Sequence, residues 1–398
     1  MKKILTTLIS LSILGACSTL DSTEFDLSQS EGIRTFSEGS KTLDPNGINL
    51  PITYPLTVIF NNSYKMLFEE NQAIGQADPK NSDKYFVSLV NSAKTTLDAA
   101  FYDIDDSFVT QALINASKRG VKVRIVTDTD NMTDEHDPTL PRKQIADMRA
   151  AGIEVKDDKR SGIMHQKFMV IDGAVVLSGS MNLTTTSIYQ HNNNIVIMKS
   201  PEMATTFTEE FNRLFEENKF GPNKREISFP QAKVGDATVK VLFSPKGGAN
   251  AEVMSELQKA QKSIKFMNFS LTGPELQNII VSKKNAGLLV EGFLDECLSR
   301  GKYSLLKPFK EAKIYVLRDG NQALLHHKVF IIDDETVITG SSNYSASAEN
   351  SNNENTLIIK SKNIASFYSR EYSRIKYAAQ THKNIPDYDN PACGSGSK

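Results

Sequence analysis

The 398-residue chain has no excess of either charge: 46 Lys and Arg stand against 47 Asp and Glu, a formal net charge of −1. General nucleic-acid binders carry a basic surplus, so that class is disfavoured, although a local basic patch is still allowed. There is no P-loop or Rossmann glycine pattern, which sets aside the usual nucleotide cradles. Nor is there a C-x-x-C pair: the three cysteines, Cys17, Cys297 and Cys393, are far apart and suggest neither a metal nor a redox motif. With 39% hydrophobic and 23% charged residues, the composition is that of a soluble globular protein long enough for two domains.

What the chain does have is one pattern used twice. H-x-K-x4-D-x6-G-S-x-N occurs at His165, Lys167, Asp172, Gly179, Ser180 and Asn182, and again 161 residues later at His326, Lys328, Asp333, Gly340, Ser341 and Asn343. Six fixed positions repeated as a set point to one site assembled from two equivalent halves. After each histidine the run is apolar and β-branched (FMVID, VFIID), which reads as a buried strand. Side chains alternate faces along a strand, so each histidine shares a face with its lysine. The Gly-Ser turn that follows offers backbone N–H groups and the short side chains of Ser180, Asn182, Ser341 and Asn343 as an anion cradle. Lysine adds positive charge, and histidine, with an unperturbed pKa of about 6.5, serves as nucleophile or proton carrier. Cleaving a phosphodiester through a covalent intermediate needs one group to attack and another to protonate the leaving oxygen. Two copies meet that need.

These motifs resemble the HKD signature of the phospholipase D superfamily, and the likeness extends upstream. LDAAFYDIDDSFVTQALINASKRGVKVRIVTD, Leu97 to Asp128, is similar to the strand–helix–strand that precedes the signature there. It recurs at an offset of 167, with Leu97, Gly120 and Asp128 answered by Ile264, Gly287 and Asp295. The resemblance covers roughly residues 56 to 380. It implies an α/β fold of two similar lobes, each a mainly parallel β-sheet flanked by helices, with the active site at the pseudo-twofold interface. It also implies a phosphohistidine intermediate, no cofactor and no metal. The signature places Asp172 and Asp333 with the catalytic residues, although a strand-ending turn suits structural partners better. Glu354, 28 residues after His326, falls where similar proteins carry a carboxylate that orients a catalytic histidine; the equivalent after His165 is Asn193. In similar enzymes this carboxylate reaches the opposite histidine, which implies His165 as nucleophile and His326 as acid and then base.

The chain divides into a signal peptide (1–16), a tether rich in Ser, Thr, Asp, Gly and Pro (17–54), a first lobe (55–221), a linker (222–235), a second lobe (236–385) and a tail (386–398). A monomer is expected, with both lobes forming one site. The leading reading is phospholipase D-type hydrolysis of a phospholipid head group, the membrane surface being both substrate and anchor. The alternatives are a metal-independent endonuclease acting on DNA or RNA and a catalytically silent envelope binding protein. Among other residues, His136 in Asp134-Glu135-His136-Asp137 reads as a solvated loop, and His327 as a packing residue facing away from His326. His191 and His382 belong to no constellation. Phe101-Tyr102 reads as strand core first, with Tyr102 at a site wall as a second reading. Cys297 and Cys393 form a disulfide, or Cys297 remains a buried thiol.

At the N-terminus, Lys2 and Lys3 precede an apolar stretch from Ile4 to Leu14, too short for the about 20 residues of a spanning helix. Leu14-Gly15-Ala16-Cys17 looks like a bacterial lipobox, and Ser18 after it resembles outer-membrane retention. Removal of this leader, acylation of Cys17 and residence in the cell envelope are expected. Acyl chains contribute about 0.8 kcal/mol per buried methylene, so Cys17→Ser should move the protein from the membrane fraction to the soluble one on sedimentation. A variant that pellets as before would refute the lipoprotein reading.

Overall fold

The computed structural model describes residues 45–61, 68–223, 227–321 and 323–381. The expected leader, the tether up to residue 44 with Cys17, and His382, Cys393 and the tail lie outside them. The last part of the tether is docked on the first lobe. Asn91 Nδ2 donates to the carbonyls of Pro45 (2.7 Å) and Ile48 (2.9 Å), and Leu50 N donates to Ser88 Oγ (2.8 Å). Cys297 is buried and disulfide-bonded, its partner lying outside the described residues.

The first lobe runs β1 (Leu56–Phe60), α1 (Phe68–Ala77), α2 (Ser82–Ser92), β2 (Thr96–Phe101), α3 (Ser107–Lys118), β3 (Lys122–Thr127), α4 (Lys143–Ala150) and β4 (Glu154–Asp157). It continues through β5 (Lys167–Ile171), β6 (Val175–Gly179), α5 (Thr185–Tyr189), β7 (Asn194–Lys199) and α6 (Pro201–Phe215). The second lobe opens with β8 (Gln231–Val234), β9 (Ala237–Ser244), α7 (Ala249–Lys259), β10 (Ser263–Asn268), α8 (Pro274–Asn285) and β11 (Leu289–Leu294). It closes with α9 (Leu306–Glu311), β12 (Tyr315–Arg318), β13 (Lys328–Ile332), β14 (Thr336–Gly340), α10 (Ala346–Asn350), β15 (Glu354–Lys360) and α11 (Lys362–Thr381). Sheet order is β1-β7-β6-β5-β2-β3-β4 in the first and β12-β11-β10-β13-β14-β15-β9-β8 in the second. The two lobes repeat one arrangement, and β8 extends the second sheet into the segment read as a linker.

The sheets are mixed, not mainly parallel. Parallel pairing is confined to β2–β3–β4 and β10–β11–β12, where helices make the crossovers that parallel strands require. Each motif instead builds an antiparallel hairpin, β5–β6 or β13–β14, because only a tight turn separates its two apolar runs. The strand-ending turn expected at each aspartate is there, but the alternation of strands and helices gave no sign that it folds the two runs back on each other. Asp172 and Asp333 sit in it with positive φ (50° and 56°). The Asp172 carboxylate accepts from the backbone of Lys94, Thr95 and Thr96 (2.9, 2.7 and 2.9 Å). That of Asp333 accepts from Gln261, Lys262 and Ser263 (2.9, 2.7 and 2.8 Å). Both aspartates thus tie the hairpin to the start of the neighbouring strand, the structural part that a strand-ending turn suits, and their oxygens are taken up in doing so.

The motif glycines have a steric cause. A Cβ on Gly179 (φ 149°) would stand 2.2 Å from the Asn194 carbonyl oxygen, and one on Gly340 (φ 133°) 2.4 Å from that of Asn355. Only glycine permits this close approach, which brings the motif's end against the start of β7 or β15, where Asn193 and Glu354 lie.

One apolar core joins the inner faces of both sheets with α6 and α11; two further cores fill the outer faces. Helix α6 starts on Ser200, whose Oγ accepts from Met203 N (3.2 Å), with Pro201 in the first turn. It carries Phe207 between Phe168 of the first sheet (5.0 Å) and Phe243 of the second (5.3 Å), both edge to face. Phe207→Ala should therefore lower unfolding free energy by about 3–5 kcal/mol, with both lobes losing structure in one denaturant transition. A loss confined to one lobe would contradict a shared core.

Candidate active site

Each motif histidine is seated by backbone from the opposite lobe. His165 N donates to Asn353 O (2.9 Å), and Asn353 N returns a bond to Ile163 O (3.0 Å). In mirror fashion, His326 N donates to Asn192 O (3.0 Å), and Asn192 N to Leu324 O (2.9 Å). Side chains reinforce the crossing: Arg160 reaches Asn353 Oδ1 and the Ser351 carbonyl, while Asn321 Nδ2 reaches Asn192 Oδ1 and the Gln190 carbonyl. Asp128 Oδ2 accepts from Met164 N (2.7 Å) and Asp295 Oδ2 from Leu325 N (2.9 Å), fixing the residue ahead of each histidine.

The crossing delivers an oxygen to each imidazole. The Glu354 carboxylate lies 2.8 and 2.7 Å from His165 Nδ1, and also accepts from Ser341 Oγ (2.6 Å) and Asn352 Nδ2 (3.4 Å). On the other side, Asn193 Oδ1 lies 2.8 Å from His326 Nδ1 and accepts from Ser180 Oγ (2.8 Å); its Nδ2 donates to the Ser187 carbonyl (2.9 Å). Both oxygens only accept here, so Nδ1 carries the proton and Nε2 presents its lone pair to the site. Ser180 and Ser341 are therefore committed to the histidine partners and not to a phosphate. Their backbone N–H groups are taken as well, by the Asn194 and Asn355 carbonyls (2.9 and 3.0 Å). Of the groups expected to cradle an anion at the Gly-Ser turn, the serines and their N–H groups are thus engaged within the protein, which leaves Asn182 and Asn343.

Lys167 and Lys328, both buried, each donate Nζ to the carbonyl of their own motif histidine (3.0 and 2.9 Å). Asn182 and Asn343 keep a buried Oδ1 with no hydrogen-bond partner, so these amides remain open to a ligand. Two aromatics line the walls. Tyr102 meets the His165 ring edge to face at 5.1 Å, with Lys167 Nζ 5.2 Å from its centroid. Phe269 meets His326 at 5.1 Å, with Lys328 Nζ at 4.7 Å. Strand core describes Phe101 but not Tyr102; the offset of 167 that relates Tyr102 to Phe269 was the available signal.

Two histidines are placed otherwise than expected. His191 lies beside His326, their centroids 5.8 Å apart. His327 does point away from the site, but it is hydrogen-bonded to Asn194 Nδ2 (3.0 Å) and Glu371 Oε1 (3.0 Å) rather than merely packed. The Asp134–Asp137 segment is a turn in which Asp134 Oδ1 accepts from the backbone of His136 and Asp137 (2.9 and 3.1 Å). Among the described residues no cluster of three or more His, Cys, Asp or Glu is placed to hold a metal ion.

Burial dominates the electrostatics. It takes His165 down to about 4, the Glu354 carboxylate pulling the other way. It takes Lys167 down to about 7, again against Glu354. Burial and then Lys328 hold His326 well below its ordinary value; burial and then Lys167 do the same to Lys328. An anion between the two lysines would restore their charge, which is the behaviour of a phosphate clamp.

Fold and site together define a duplicated, two-lobe HKD protein with one composite centre. The chain belongs to the family described as cardiolipin synthase, PLD-like domain, whose model matches residues 86–215 and 253–376. Among curated proteins it is similar to the mitochondrial cardiolipin hydrolase of Canis lupus familiaris, 37% identical over 144 residues, 36% of this chain and 53% of that protein. It is also similar to a phospholipase D of Rickettsia conorii, 31% identical over 129 residues, 32% of this chain and 62% of that one. The chain thus spans only a little over half the length of these relatives. The crystal structure of a phosphatidylserine synthase from Haemophilus influenzae superposes with a TM-score of 0.58 at 12% identity, covering 86% of this chain and 93% of that one, a likeness of fold.

Nitrogen-15 NMR of the imidazoles checks the electrostatics directly. His165 should titrate near pH 4, and Glu354→Gln should push it lower still, since the carboxylate raises it. A midpoint at or above 6.5, or an upward move in the variant, would contradict this account.

Proposed function

We propose that this chain is a phosphodiesterase of the phospholipase D type, hydrolysing a phospholipid head-group bond through a phosphohistidine on His165. One observation carries the assignment: Glu354 is bonded to His165, whereas His326 has only the neutral Asn193. When His165 Nε2 attacks phosphorus, the ring becomes cationic, and a carboxylate on Nδ1 stabilises that charge. The phosphorus–oxygen bond opposite breaks, and His326, which takes up a proton on Nε2 once the bound phosphate offsets the lysine charge that opposes it, gives that proton to the departing oxygen. His326 then takes a proton from water as that water attacks phosphorus, the P–N bond breaks, and His165 recovers its lone pair. Lys167, Lys328 and the Nδ2 donors of Asn182 and Asn343 hold the phosphate oxygens, and the lysines offset their developing charge. The expected envelope anchor would set this site beside its substrate.

A second reading, a nuclease, uses the same chemistry and is favoured only by the compact motifs without large insertions. Purified protein lacking the leader is assayed against phosphatidylcholine, phosphatidylglycerol, cardiolipin, single-stranded DNA and RNA, and turnover is quenched to map phosphohistidine by peptide mass spectrometry. Lipid cleavage with phosphate on the His165 peptide is the expected result. Lys167→Ala and Lys328→Ala should each lose about 10²–10³ in rate while staying folded. Cleavage of nucleic acid alone would overturn the lipid reading, and phosphate on the His326 peptide would reverse the histidine roles.

A further inference from the structure

The residue between each motif's histidine and lysine turns to the opposite face, and there the lobes meet a second time. Gln166 and His327, both fully buried, face Asn355 and Asn194, the neighbours of Glu354 and Asn193. Consecutive residues of one lobe thus meet consecutive residues of the other. His165 meets Glu354 and Gln166 meets Asn355; His326 meets Asn193 and His327 meets Asn194. At the offset of 161 the surroundings correspond too. Ser178 Oγ donates to Asn355 Oδ1 (3.0 Å) and Thr339 Oγ1 to Asn194 Oδ1 (2.8 Å). Behind them stand Glu210 with Arg213 and Glu371 with Arg374. Within this frame a carboxamide on one side is an imidazole on the other.

Gln166 Oε1 accepts from Asn355 Nδ2 (2.8 Å), while its Nε2 donates to the Glu354 carbonyl (3.1 Å) and to Glu210 Oε1 (3.4 Å). His327 reproduces this pattern as a neutral ring with its proton on Nε2. Glu371 Oε1, 3.0 Å from Nε2, is an acceptor. Asn194 Oδ1 is taken by Thr339 and by the Tyr368 hydroxyl (3.0 Å), which turns Asn194 Nδ2 toward His327 Nδ1 (3.0 Å) as donor. Burial disfavours a second proton on the ring, Glu371 of α11 favours one, and Arg374 of α11 and Lys328 of its own strand oppose it. Despite burial, Arg374 and then His327 hold Glu371 down to about 2, so it stays ionised. β1 contributes the Phe60 ring at 6.1 Å and β7 the Asn194 amide, neither of which titrates. A second proton would set Nδ1–H against Asn194 Nδ2, donor facing donor. A glutamine undergoes no such change.

We propose that His327 is a positioning residue: through Asn194 it holds Asn193 on the His326 ring, and as an imidazole it lets acid undo that hold, a weakness that Gln166 spares the Glu354 side. Asn194 is the first residue of β7 and Asn193 directly precedes it, so a displaced Asn194 carries the ring partner with it. The consequence for turnover rests on His326 being the acid, as read in the preceding subsection; the contact does not.

Wild type, His327→Gln and His327→Phe are compared by nitrogen-15 NMR of the imidazoles and by melting temperature. At about pH 8 the His326 Nδ1–H signal should be present in wild type and in His327→Gln, which supplies the same acceptor and donor, and lost to water exchange in His327→Phe. Below the ordinary imidazole value of about 6.5, wild type should lose the signal and His327→Gln should keep it. Stability has the same sign. A ring that resists protonation in the fold contributes fully above about 6.5 and progressively less as pH falls. Wild type should therefore lose more Tm than His327→Gln on acidification, the other buried histidines being common to both. On phosphatidylglycerol micelles His327→Phe should lose about tenfold in kcat, the worth of one hydrogen bond, and His327→Gln should recover it. If His327→Phe does not fold, the comparison of wild type with His327→Gln decides. Parallel acid loss in those two, or a missing His326 signal in His327→Gln at neutral pH, overturns the inference. Wild-type silence on the lipid overturns the phospholipase reading and leaves NMR and melting to judge this one.

Discussion

The exchange of backbone hydrogen bonds between lobes is the constraint from which the site follows. His165 is held by Asn353 and His326 by Asn192, two residues that stand next to Glu354 and Asn193. A strand residue and its neighbour point to opposite faces, so one residue docks the backbone while the next presents its side chain to the imidazole. The lysines follow, since each is anchored to the carbonyl of the histidine so placed. Neither lobe contains a complete centre, because each histidine is oriented from outside its own lobe.

The same scaffold carries different chemistry on its two sides. Behind the first motif, Gln166 meets Asn355 and Glu210, with Arg213 on the glutamate. Behind the second, His327 meets Asn194 and Glu371, with Arg374 on the glutamate. Pseudo-twofold geometry is thus kept where the lobes lock together. It is relaxed at the ring partners, where a carboxylate on one side is a carboxamide on the other, and at His191 and Asn352. Equivalence is preserved in the frame and lost in the ring partners, the difference on which the proposed division of roles between the two histidines rests.

Much of this was legible in the chain. Spacing alone placed the histidines, lysines and asparagines together, and offsets of 167 and 161 divided the molecule into its lobes. The turn at Asp172 was legible, but the hairpin was not, because alternation of element types does not say whether strands joined by so short a turn pair antiparallel. Ser180 and Ser341 were read by side-chain chemistry as phosphate ligands. Their real partners, Asn193 and Glu354, are 13 residues further along the same lobe and come within reach only when β6 and β7, or β14 and β15, pair. His191 was passed over for a related reason. Its neighbour His326 belongs to the other lobe, so no local pattern reveals the contact, although the offset that pairs it with Asn352 was available.

The reciprocal bridges leave the interface without a hinge. Parting the lobes would break the anchors of both histidines together, so separating the lobes and disorienting the two imidazoles are one event. Access for the proposed substrate would then come without parting the lobes, with adjustment left to side chains such as Tyr102, Phe269 and the two motif asparagines. The proposed substrate, a head group that projects from a surface, would suit such a site, because it could enter end-on and leave without any domain movement.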